Sequence, residues 1–246
     1  MIVGLYSFLS YRQHQSNPQD TTIPNLSQII EGINKSCIPN SRGEIWIVQD
    51  CWATGLRLFM GLGIGVFSAI VLGMIMGCYK WIGNLLFPII VFSAKVPVTA
   101  MMAVWFVIFG INDTLIVAII CLGIIPSFVS CVYYSVSNDV NENIIFKAYT
   151  LGASDLDVIE SVIFRQIFPR TIQFIQSQIG PAMIYLIAVE WLIANVGFGY
   201  RLRMQSRLLN MNVVYFYIFL LGIFGLLCDK ILDLITKKTC PWFKDK

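Results

Sequence analysis

Apolar residues gather into five long runs, 58–77, 85–109, 114–134, 179–196 and 213–235, each with few or no charges inside it. About 20 mostly apolar residues suffice for a helix to cross a bilayer, so each run predicts a spanning helix. Residues 1–9 form a sixth apolar run that covers only about 14 Å as helix. It lacks the basic leader and A-x-A site of a cleaved signal and reads as the end of a sixth span. Residues 11–50 are polar and turn-rich, with SNPQDTTIPN followed by CIPNSRGE, and predict an extramembrane loop. The remaining connectors are short, except that 135–176 is too polar to face lipid. The expected fold is an all-α membrane protein, one transmembrane domain over 1–246 with about six helices and a helix-turn-helix insertion between spans 4 and 5.

The insertion contains KAYTLGASDLDVIESVIFRQIFPR, residues 147–170. Val140, Ile144, Ala148 and Leu151 recur at helical spacing, and Gly152 follows where a left-handed C-terminal cap would use it. Ser154 with Asp157 three residues on is a loose capping box. Beyond it, Leu156, Ile159, Ile163 and Ile167 line one face of a second short helix, with Asp155, Asp157 and Glu160 in its first turns and Arg165 near its end. Pro169 marks the expected stop. Such apolar stripes must be covered, either by the chain's own spans and the lipid interface or, in part, by another protein.

The run A-Y-T-L-G-A-S at 148–154, with Pro169 downstream, resembles the cytoplasmic EAA loop of ABC importer permeases. A-V-E-W-L-I-A-N-V-G-F-G-Y at 188–200 is similar to the nitrate, sulfonate and taurine type of that family, and the likeness extends over 49–242. It implies a bacterial inner-membrane permease subunit that forms the translocation path. Its partners would be a cytoplasmic ABC ATPase dimer, a second permease copy in a homodimer, and an extracytoplasmic solute-binding protein. On the motif, Ala148 takes the second alanine, Gly152 the central glycine, Val162 and Phe164 the later aliphatic positions, and Pro169 a second proline. Leu151, Ala153 and Ser154 complete the implied ATPase-coupling set. Phe146, Lys147 and Arg165 stand where the motif has its glutamate, first alanine and first proline. The implied solute is a small oxyanion, a sulfonate or taurine-like acid, or a small nitrogen compound.

Composition agrees with a lipid setting: 57% of the 246 residues are apolar and 13% charged, with a mean hydropathy of +0.73. The net charge of +3 is scattered, which argues against nucleic acid as a partner. Seven cysteines without a C-x-x-C pair, and His14 without ligand-like neighbours, give no metal site. Only Cys37 and Cys51 lie in a polar region where a disulfide could form. No G-x-x-x-x-G-K-[ST] occurs, so no cofactor is expected on this chain, and ATP would be bound by the partner. A membrane enzyme would need a histidine cluster or paired carboxylates in its spans. A self-sufficient secondary transporter or channel would show inverted repeats. Neither pattern is present.

Four features of the spans carry chemistry or packing. Gly61, Gly65, Ala69, Gly73 and Gly77 recur every four residues and predict a close helix–helix contact. Glu190 sits in mid-span, where lipid exposure costs roughly 2.5–3.5 kcal/mol, so it reads either as a hydrogen-bonded bundle residue or as part of the translocation path. Arg201, Arg203 and Arg207 follow at the outer end of that span. They could attract an anionic solute, pair with acidic groups of a binding protein, or belong to a solvated loop. Asp229, Lys230 and Asp233 near the other end of the last span read as an internal ion pair. Basic residues divide almost evenly between the two sides, so orientation rests on the resemblance.

Overall fold

The computed structural model describes residues 2–16, 22–39, 43 and 45–240. Among these every regular element is helical. Helices α1 (Ile2–Ser16), α2 (Leu26–Cys37), α3 (Trp46–Cys78) and α4 (Lys80–Lys95) lead through a short 3₁₀ turn to α5 (Met102–Phe109) and α6 (Asp113–Asn138). Then follow α7 (Glu142–Thr150), α8 (Asp155–Asp157), a π-helical segment (Val158–Phe164), α9 (Arg165–Ile193), α10 (Phe198–Arg207) and α11 (Met211–Thr239). Four helices are long and apolar enough to span a bilayer: α3, α6, the continuous helix from Asp155 to Ile193, and α11. A bent pair makes a fifth.

That pair takes in the run 85–109, expected as one span. Instead α4 and the segment Val98–Phe109 meet at 81°. Pro97 has no N–H to give, and its ring holds Val96 extended at φ −86°, ψ 118°, as a residue before proline prefers. Where the end of a sixth span was expected at 1–9, the structure has α1, a helix of 15 residues that is not among the helices long and apolar enough to cross a bilayer. Part of the expected loop 11–50 is also helical. Asn25 and Gln28 form a capping box at the start of α2, and Tyr6 and Ser10 of α1 donate to the carbonyls of Pro24 and Ile23.

The chain forms two compact units. The first comprises Met1–Arg57 and Leu186–Gly225. Its core is Phe198, Leu202, Val213, Val214 and Tyr217, with Phe198 edge-on to Tyr217 at 5.6 Å. α2 lies so close to the start of α11 that a Cβ on Gly32 would stand 2.9 Å from the Asn212 backbone. Cys37 and Cys51, in this unit, are both free thiols.

The second unit comprises Leu58–Tyr185 and Leu226–Lys246. Here the glycine stripe of α3 meets α6 in register. A Cβ would stand 2.7 Å from Ile120 at Gly61, 2.6 Å from Ile124 at Gly65, 2.6 Å from Val132 at Gly73, and 2.5 Å from Val136 at Gly77. The partners advance four residues whenever the glycines do, so the two helices run parallel with their small and branched faces interlocked. Ala69, Met76, Phe128, Val129 and Val132 fill the core beneath. Near the far end of α11, Gln176 donates to the Asp233 carboxylate at 2.9 Å. Among the described residues no ion pair joins Lys230 to Asp229 or Asp233, so the expected pairing is replaced by this amide contact.

Candidate functional site

In the second unit the insertion folds as a tight hairpin. α7 ends in a Schellman motif: the Ala153 N–H donates to the Ala148 carbonyl at 3.1 Å and the Gly152 N–H to that of Tyr149 at 3.0 Å. Gly152 takes the left-handed conformation this needs, φ +86°, which a residue with a Cβ adopts only under strain. The next helix starts at once. Ser154 and Asp157 cap each other, with Asp157 Oδ2 accepting from the Ser154 N–H at 3.0 Å and Ser154 Oγ accepting from the Asp157 N–H at 3.3 Å. Tyr149 donates to Asp155 across the turn at 3.0 Å, and this bond raises the phenol's pKa above its usual value.

The apolar residues of the hairpin divide differently from the predicted stripes. Val140, Ile145, Ala148, Ala153 and Val162 pack on the unit's own core. Leu151 is 88% exposed, Leu156 75% and Phe146 62%, and Ile144 is exposed as well. In the second helix Val158, Ile163 and Ile167 are buried in the core and Ile159 packs against it half-buried, while Leu156 stays outside. Pro169 does not stop that helix, which continues through Pro169 and Pro181 to Ile193. A proline removes one ladder bond, and burial of Ile167, Thr171 and Ile172 holds the helix together around it. Phe164 is half-buried and stacks near Phe168, while Pro169 is buried. The other end of the hairpin is tied down: the Asn141 N–H donates to Gln166 and Arg170 pairs with Asp139.

In the first unit, two buried carboxylates organise the turn between α9 and α10. Glu190 is fully buried. It accepts from Arg57 Nη1 at 2.8 Å, Thr54 Oγ1 at 3.0 Å and the Gly199 N–H at 3.0 Å. Asp50, equally buried, accepts from Arg201 Nε at 2.8 Å, Tyr217 Oη at 2.8 Å and the Gly197 N–H at 3.0 Å. Thr54 Oγ1 accepts from the Phe198 N–H at 2.9 Å, and Arg57 also donates to the Val196 carbonyl at 2.8 Å. The cluster holds two acids and two guanidinium groups and is neutral as a whole. It explains the run V-G-F-G: a Cβ on Gly197 would stand 2.6 Å from Glu190 Oε1, and one on Gly199 2.6 Å from Glu190 Cβ. Gly197 also has φ +126°.

Of the three arginines beyond this span, Arg201 is held by Asp50 and lies 4.4 Å over the Trp46 ring. Arg203 donates to the carbonyls of Trp191, Leu192 and Ala194, closing the end of α9. Arg207 is exposed. The sequence reading placed Glu190 but missed its partners. Asp50, Thr54 and Arg57 share one helical face at spacings of four and three, a signal obscured because they sit just before the hydrophobic run and read as its polar border.

Residues 69–240 match the family described as binding-protein-dependent transport system inner membrane component. A probable ABC transporter permease of Brucella melitensis is 27% identical over 196 residues, covering 80% of this chain and 79% of that protein. The taurine transport system permease protein TauC of Escherichia coli is 25% identical over 220 residues, covering 89% and 80%. An inward-facing structure of the MetNI methionine ABC transporter superposes with a TM-score of 0.68 at 16% identity, covering 78% of this chain and 95% of that one, which shows a shared fold. With a family match across most of its length and a fold to agree, the chain belongs to the binding-protein-dependent transport system inner membrane components, the permease subunits of ABC importers.

Proposed function

We propose that the hairpin 142–164 is where this inner-membrane permease receives its drive, by docking on a cytoplasmic ABC ATPase that binds the ATP. The observation that carries this is the pair Leu151 and Leu156, two large apolar side chains held out to solvent on either side of a turn fixed by a Schellman motif and a capping box. An apolar knob of this kind suits insertion into a groove. Ala148, Ala153 and Val162 form its underside, Gly152 and Ser154 set its turn, and Phe164 and Pro169 join it to α9. Two permease copies as a homodimer, two ATPases and an extracytoplasmic solute-binding protein complete the reading.

The solute is read from relatives: one carries taurine in its name, another formylaminopyrimidine, a third aliphatic sulfonates. A small sulfonate, oxyanion or nitrogen compound is therefore the proposed cargo. Glu190 serves the interior of the bundle, because its carboxylate is fully occupied by donors. Arg207 is the arginine available to an outer mouth, since Arg201 and Arg203 are committed to Asp50 and to the end of α9. The test is Leu151→Asp in the permease co-expressed with its ATPase. Loss of the ATPase from the purified complex, with the permease still inserted in the membrane, is the expected result. Full retention of the ATPase and of solute transport overturns the docking assignment.

A further inference from the structure

The π-helical segment Val158–Phe164 lies directly between the docking turn and the long α9, and it changes which side chains reach the core. In an α-helix, residues four apart lie about 40° apart around the axis and residues five apart about 140°. Val158 and Ile163 could not share a face of a straight α-helix, yet Val158 is 2% exposed and Ile163 7%. Only the wider π turn brings both onto the core. The same sequence also carries an intact α-register stripe, Leu156, Ile159, Ile163 and Ile167, at spacings of three, four and four. In that register Ile159, half-buried against the core here, would move fully into the place of Val158, and Leu156 would turn from solvent towards the core. Both plugs are β-branched and apolar and differ by a single methylene.

The surroundings confine such an exchange to a short stretch. Gln166 and Arg170 anchor α9 to the α6–α7 connection, so the shift is limited to 152–164. At the other end Gly152 is free to change backbone conformation. Ser161 Oγ bonds back to the Asp157 carbonyl, a contact that loosens and bends a helix. Moving by one residue advances the Asp155–Asp157 turn by about 1.5 Å and about 100°.

We propose that 158–164 is a two-register switch, with Val158 and Ile159 as alternating core plugs, and that it presents Leu156 to the ATPase in the π register and withdraws it in the α register. This rests on the docking role of the hairpin. It adds that nucleotide binding in the ATPase reaches the membrane through a discrete change of helical register, because a two-state element is what a partner can bias.

The test uses the permease–ATPase complex in nanodiscs, with the native cysteines replaced and a single cysteine at 158 or 159. Maleimide reactivity is measured without nucleotide and with a non-hydrolysable ATP analogue. The expected result is at least tenfold faster labelling at 159 than at 158 in one nucleotide state, and a ratio that changes at least tenfold in the other. A ratio that is the same in both states overturns the switch. A second variant, Ile159→Asn, removes the α-register plug and holds the π register. It is expected to keep the ATPase bound while solute-stimulated transport falls at least tenfold, and wild-type transport by this variant also overturns the proposal. Failure of docking itself is scored separately by Leu151→Asp, which leaves 158 and 159 untouched.

Discussion

Glu190 and Arg57 illustrate what a buried charge demands. The guanidinium is 11% exposed and the carboxylate not at all, so neither group has water to fall back on. Removing one partner of such a pair typically costs about 3–5 kcal/mol, whereas replacing both with apolar residues of similar volume is often neutral. Arg57→Ala is accordingly expected to lower the thermal stability of the detergent-solubilised permease sharply, and Arg57→Met with Glu190→Met to recover only part of it, because the Gly199 N–H and the Val196 carbonyl lose their partners. A double variant no more stable than the single one would show that the pair acts in some other way. Gly152 belongs to the same scale. Gly152→Val places a β-branched residue at φ +86°, a cost of roughly 1–2 kcal/mol, but open space surrounds the position. The bundle is therefore expected to insert normally while the reshaped turn loses its ATPase, measured by co-purification. Gly152 was legible in the sequence because its conformational demand is local. The partners of Glu190 were not, because Arg57 lies 133 residues away along the chain.

Between elements, small residues decide how closely helices approach. Gly65→Val would drive a side chain into Ile124, whose Cδ1 already stands 2.6 Å from an added Cβ, while Gly63 has nothing within 4 Å. Overpacking of this kind costs typically 1–3 kcal/mol. Gly65→Val is thus expected to reduce the yield and thermal stability of folded permease, and Gly63→Ala to match wild type. Equal behaviour of the two would mean that α3 and α6 do not rely on the stripe. The stripe was readable from periodicity alone, as were the runs that became α3, α6, α9 and α11. The π segment was not: Leu156, Ile159, Ile163 and Ile167 make a better α-helical pattern than Val158, Ile163 and Ile167, the three that the core buries. Periodicity assumes one fixed turn per residue, and the core selected another. The bend after α4 was signalled by Val96–Pro97 but hidden within a continuous apolar run, where hydropathy outweighs a single proline.

For the molecule as a whole, the division of labour follows from what the chain carries and what it lacks. Its family supplies the membrane path of an ABC importer and not an enzyme, and the sequence holds no P-loop with which to bind nucleotide phosphates. On the proposed reading, energy enters through a surface. The hairpin offers one outside the apolar runs, with Phe146, Leu151 and Leu156 unburied on it. Phe146 stands where the EAA motif that this loop resembles has a glutamate, so on the proposed reading its contact with an ATPase would be apolar in place of charged. An interface built this way should be insensitive to salt, since burial of apolar area is not screened as ion pairs are. Purified permease alone is expected to show no ATP hydrolysis above a mock preparation, and hydrolysis to appear when a cognate ABC ATPase is added. Assembly should survive 0.5–1 M salt, roughly the range in which charge contacts are screened within a few ångströms. Dissociation of the ATPase at that ionic strength, measured by size-exclusion chromatography, would show that charged groups hold the partners together in place of this apolar knob.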